Sequence, residues 1–169
     1  MALGLLILRL VVGLTLAAHG AQKLFGWFGG YGLKGTGGFL EQLGFVPGRR
    51  NALFAGLAEL GGGLLLALGL ATPLAAVLIV SVMFVAIVSV HLKSGFFNHM
   101  QGYEYLLILA VVALSIVFTG PGPISLDAVF GIQDSGAAWA IGALVVGVVG
   151  GAVQLAGRRV TAPQPQKVG

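Results

Sequence analysis

The 169-residue chain contains no cysteine, and only 8% of its residues are charged. The first absence excludes disulfides, persulfide transfer, cysteine-ligated metal and covalent haem attachment within the chain. The second, beside 57% hydrophobic residues and a strongly positive mean hydropathy, excludes an ordinary soluble domain. A phosphate loop, a dinucleotide fingerprint and a nucleophile elbow are also missing, because the glycine clusters do not sit between a strand and a helix. Nor does the pI of about 9.9 indicate nucleic acid: nine Lys and Arg residues scattered among apolar spans form no basic face.

What is present is a series of apolar runs. A bilayer core takes roughly 20 apolar residues per helical span, and windows at about 3–25, 52–70, 73–92, 103–119 and 137–157 qualify. An all-α, polytopic membrane bundle is expected, with the lipid bilayer as its first partner. The first window is read as a retained helix, since no basic region precedes it and Arg9 interrupts it. Asn51, after Pro47, suits an N-cap for the second span, and Thr72-Pro73 reads as a cap followed by proline at the first helical position. Between Gly26 and Gly48 lie nine glycines with Trp27, Phe28 and Tyr31, and TGGFLEQLGF predicts a short interfacial helix with Phe39, Leu40 and Leu43 on one face. GPGPISLDAVFG predicts a turn and a short apolar piece at the opposite interface.

Five spans place Lys23, Lys34, Arg49, Arg50, Lys93, Arg158, Arg159 and Lys167 on one side, while the opposite loops carry Asp127 and Asp134. The positive-inside rule then puts the N-terminus outside and the C-terminus in the cytoplasm of a bacterial inner membrane. In the last span, Ala143, Gly147 and Gly151 form a small-residue stripe suited to a homo-oligomer contact.

Ionisable groups within spans are costly and carry the information. At about 100° per residue, Arg9, Gly13, Gly20 and Lys23 share a stripe with His19 at its margin. Glu59 shares a face with Ala55, Gly56, Gly62 and Gly63. Axial rise puts His19 about 9 Å and Glu59 about 12 Å from the first loop, so His19 and Lys23 are expected to meet Glu59. His91 and Glu104 are expected to converge at the same end, and Arg9 lies toward the other, where it either meets Asp127 or snorkels to the interface. A haem between His19 and His91 is disfavoured, and no metal site is predicted.

RLVVGLTLAAHGAQKLFGWFGG, LAELGGGLLLALGLATPLAA, HLKSGFF and GPGPISLD together resemble the DoxX-like family of small bacterial membrane proteins, over about residues 5–130. The resemblance implies a four-helix core, here 1–136; the apolar run at 137–157 adds a fifth span, and the Pro/Gln-rich composition beyond it predicts a disordered cytoplasmic tail at 158–169. It also implies an association with respiratory and sulfur redox chemistry, including the membrane part of a thiosulfate:quinone oxidoreductase, and with an oxidative-stress complex. Arg9, His19, Lys23 and Glu59 match the family's recurring polar positions.

The expected function is a redox-associated membrane subunit binding a quinone between the first two spans. His19 and Glu59 would be its catalytic proton carriers. Arg9, Lys23, Trp27, His91 and Glu104 would complete the binding set. The alternatives are an anchor that recruits soluble redox partner proteins and a small proton-linked transporter.

Overall fold

A computed structural model describes residues 1–159. The expected tail falls, from residue 160 onward, outside the described residues. These residues form α1 (Ala2–Phe25), α2 (Gly32–Gln42), α3 (Gly48–Leu68), α4 (Thr72–Ala86), α5 (Glu104–Thr119), the single turn α6 (Leu126–Val129) and α7 (Ala137–Ala156), with no strand among them. Beyond Ala86, α4 widens into a π turn at Ile87–His91 and ends in a 3-10 turn at Leu92–Ser94.

Four of these helices, with α4 counted to Ser94, are long and apolar enough to cross a membrane. α5 has 16 residues and rises about 24 Å. It nonetheless traverses the bundle beside α4. Its start is hydrogen-bonded to the loop that leaves α4 (Glu104 N to Phe96 O, 2.9 Å), and the segment after its end folds over the start of α4.

Glycine sets the packing of α1 on α3. A Cβ on Gly13 would lie 2.5 Å from the Gly63 carbonyl, one on Gly63 would lie 2.5 Å from the Gly13 carbonyl, and one on Gly20 would lie 2.7 Å from that of Gly56. The two backbones therefore touch, as small-residue stripes permit in lipid, where association rests on close van der Waals packing. The apolar core lies mainly among α1, α3, α4, α5 and α7, with Leu16, Leu66, Ile79, Ala113, Ile116 and Ala143 fully or nearly fully buried. Outward faces carry Ile7, Val11 and Leu14 on α1 and Val145, Val149 and Val153 on α7, an apolar surface matched to lipid tails.

Three local expectations are corrected. α3 begins at Gly48 with Pro47 as its N-cap, so Asn51 lies one turn inside, its Nδ2 donating to the Pro47 carbonyl at 2.8 Å. α2 runs for 11 residues, and it buries Thr36 and Gly37, while Phe39 stays exposed. The small side of Gly37 allows this, because its hydrogen faces the Arg49 backbone at a distance where a Cβ would be crowded. The stripe on α7 is engaged within the chain: Gly147 packs on Val80 and Gly151 on Phe84 of α4, so it is closed to a second copy.

Candidate functional site

In a helix each Cα–Cβ bond tilts toward the N-terminus. α1 and α3 are antiparallel, so a residue late in α1 leans into the bundle while a residue in α3 leans back toward the α3 start. Lys23 and Glu59 meet by this rule: the Lys23 Nζ donates to Glu59 Oε2 in the one ion pair among the described residues. The pair is asymmetric. The Glu59 side chain is 5% exposed and the Lys23 side chain 31%.

The exposed side of Lys23 looks into a groove of about 980 Å³ bounded by α1, the Gly29–Tyr31 turn and α2. His19, Gln22, Tyr31, Lys34 and Phe39 also line it. His19 is exposed and does not reach Glu59; its Nδ1 lies 3.0 Å from Gln22 Oε1. That oxygen only accepts, so in the neutral ring this contact selects the Nδ1–H tautomer, with Nε2 as the acceptor nitrogen. Gln22 in turn donates to the Phe28 carbonyl at 3.2 Å, tying the histidine to the turn after α1. Trp27, in that turn, is exposed and packs on Phe25 at 4.9 Å between ring centroids.

The contact of α1 with α3 through glycine leaves no gap for a ring between the first two spans. Any ring would enter the groove on the α2 side instead. The other expected members do not join this set. His91 Nδ1 bonds the Gln101 carbonyl at 2.7 Å, and Glu104 accepts from Asn98 N at 3.0 Å, so both secure the loop between α4 and α5. Among the described residues, no three His, Asp or Glu gather to hold a metal.

At the opposite end, Arg9 is 1% and Asp127 is 2% exposed. Their polar atoms are used differently from the direct pair envisaged from sequence. Asp127 accepts from Ala71 N (2.7 Å), Thr72 N (3.1 Å) and Thr72 Oγ1 (2.6 Å), capping α4 from a distant loop. Thr72 is thus a donor to the cap and not the cap itself. Arg9 donates through Nη2 to the Ile124 carbonyl and packs against Gly69, whose carbonyl accepts from Asp127 N at 2.8 Å. Gly69, at φ 62°, needs to be glycine twice over: for its left-handed backbone and because a Cβ would strike the guanidinium. Sequence reasoning gave Asp127 too small a part. Its signal was an acidic residue in a proline- and glycine-rich loop facing a helix start that begins Thr-Pro.

These features define a class: a multi-pass helical membrane protein with a sealed polar knot at one end and, at the other, an ion pair beside an open groove. The chain belongs to the DoxX family, whose model matches residues 4–92. Arg9, His19, Lys23, Trp27, Glu59 and His91 fall inside the match; Glu104 and Asp127 fall outside it. A relative from Bacillus subtilis (strain 168), named "Putative oxidoreductase CatD", is 33% identical over 125 residues, covering 74% of this chain and 85% of its own length. No solved structure matches the chain significantly.

Proposed function

We propose that this protein is a redox-associated membrane subunit that receives a quinone head group in the groove beside Lys23. The observation that carries the reading is the asymmetric pair, a half-open ammonium on the groove wall backed by a buried carboxylate. The relative's name as an oxidoreductase agrees with it. When bound, a quinone supplies two-electron, two-proton chemistry, with electrons drawn from a soluble partner protein. Lys23 would donate a hydrogen bond to one carbonyl, and Glu59 would hold the ammonium in place and balance its charge. His19, at the exposed edge, would carry a proton between groove and water. Tyr31 and Phe39 would flank the ring. Arg9, His91 and Glu104 have no part in this binding set, and Trp27 would act through the turn it stabilises.

The proposal includes orientation. Lys34 lines the groove, and Arg49, Arg50, Lys93 and Arg159 lie at the same end of the bundle, which the positive-inside rule assigns to the cytoplasm of the inner membrane. The N-terminus is then outside.

The test is organic extraction and mass spectrometry of protein purified from membranes in mild detergent, with absorption spectra recorded first. We expect a quinone near one per chain, depleted in folded Lys23→Gln and Glu59→Gln variants. A colourless, quinone-free protein that also fails to bind added quinone would overturn the reading and leave partner recruitment as the function.

A further inference from the structure

A second cavity, on the other side of α3 from the Lys23 groove, belongs to none of this chemistry. It is a crevice of about 310 Å³ walled by Phe54 and Ala58 of α3, Leu78, Val82 and Val85 of α4, and Gly150 of α7. Its polar members, Asn51 and Gln154, hydrogen-bond to each other at 2.6 Å across the basic end. Ser81 is the remaining hydroxyl in the wall.

Two arginines stand at that end, each over an aromatic ring that lines the crevice. The Arg50 guanidinium lies 6.0 Å from the Phe54 ring centroid, and that of Arg158 lies 5.5 Å from the Phe45 ring. Arg158 Nε is buried without a hydrogen-bond partner among the described residues. The Arg159 amide donates to the Gly44 carbonyl at 2.8 Å, which holds the end of α7 and its arginines against the loop before α3. The α3 N-terminus adds a partial positive charge beside Arg50.

An apolar slot that ends in two stacked guanidiniums has the chemistry of an amphiphile with an anionic head. We propose that this crevice binds one anionic phospholipid, an acyl chain lying between α3, α4 and α7 and the phosphate set between Arg50 and Arg158. Charge complementarity favours this occupant over a zwitterionic lipid, which would bring its own cation to the two arginines, and over a neutral isoprenoid, which brings no charge. Gly150 keeps the slot open: a Cβ there meets only Ser81 Oγ, at 3.5 Å, so a longer side chain enters the void without striking backbone.

The experiment titrates the purified full chain in mild detergent with lipid, read by native mass spectrometry. Dioleoyl phosphatidylglycerol should bind at about one per chain, at least tenfold tighter than dioleoyl phosphatidylcholine. The Arg50→Gln/Arg158→Gln double variant should lose about 30-fold for phosphatidylglycerol, the combined contribution of two interfacial arginines, with phosphatidylcholine unchanged. Gly150→Leu should remove binding of the long-chain lipid by filling the slot, and Ala58→Leu, on the facing wall, serves if that variant does not fold. Equal binding of the two lipids, or an unaffected double variant, overturns the proposal. So does competition by inorganic phosphate or dihexanoyl phosphatidylglycerol at the concentration of the long-chain lipid, since it would make the crevice irrelevant. Release of a quinone by Gly150→Leu overturns it too, by giving the slot a different occupant.

Discussion

The two ends of the bundle hold comparable sets of polar groups and treat them in opposite ways. In the set formed by Arg9, Thr72 and Asp127 both carboxylate oxygens are engaged and none of the three side chains is open to solvent. At the other end the carboxylate of Glu59 is buried, but its partner Lys23 faces a groove. Buried ions at the first end act as architecture: they fasten the α5–α7 connection to the start of α4. At the second end one ion is kept accessible, as the proposed binding in the groove requires. On the proposed function, burial of charge alone does not mark the site; a buried charge beside an opening does.

The sharpest way to break this comparison is Asp127→Ala. It removes three charge-assisted acceptor contacts and leaves the Ala71 and Thr72 donors unsatisfied, a loss of about 3–5 kcal/mol at roughly 1–2 kcal/mol per contact. A fall in the detergent unfolding midpoint larger than for any groove variant is the expected result. Glu59→Ala should cost less, about 2 kcal/mol, because the Lys23 side chain is already one-third exposed and can turn to water. If Glu59→Ala proved the more damaging, the two ends would have exchanged roles. Thr72→Val follows at about 1.5 kcal/mol, the worth of one hydrogen bond to a charged acceptor, and the same unfolding series measures it.

Much of this was legible beforehand. Apolar runs give the spans, and Arg9, His19, Lys23 and Glu59 stand out because lipid makes ions conspicuous. The helix wheel also held the answer for His19. It lies ten residues from Arg9, about 280° around the helix, against about 320° for Lys23; the glycine seam runs nearer to Lys23. Matching depth alone made His19 a partner of Glu59, and depth without rotation cannot choose between neighbours on a helix. What could not be read was long-range: Asp127 and Thr72 are 55 residues apart, and a cap supplied by another loop leaves no local pattern. The destination of the α7 stripe was hidden for the same reason. Small residues say that some helix comes close, and only the fold says that it is α4.

His19→Ala gives the smallest expected change in stability and the finest division between the two ends. The ring is exposed, and its one hydrogen bond is to Gln22, a residue three positions on in the same helix. Its loss should therefore move the unfolding midpoint by less than about 0.5 kcal/mol. If the groove is chemically active, the same variant should slow proton-coupled quinone reduction while leaving quinone retention nearly unchanged, because Lys23 and not His19 is assigned to hold the carbonyl. Stopped-flow reduction with a supplied electron donor, run beside extraction of bound quinone, separates these effects. A His19→Ala protein that is fully folded but loses its quinone would make the histidine the anchor, and Lys23 merely the counter-ion that keeps Glu59 in the membrane.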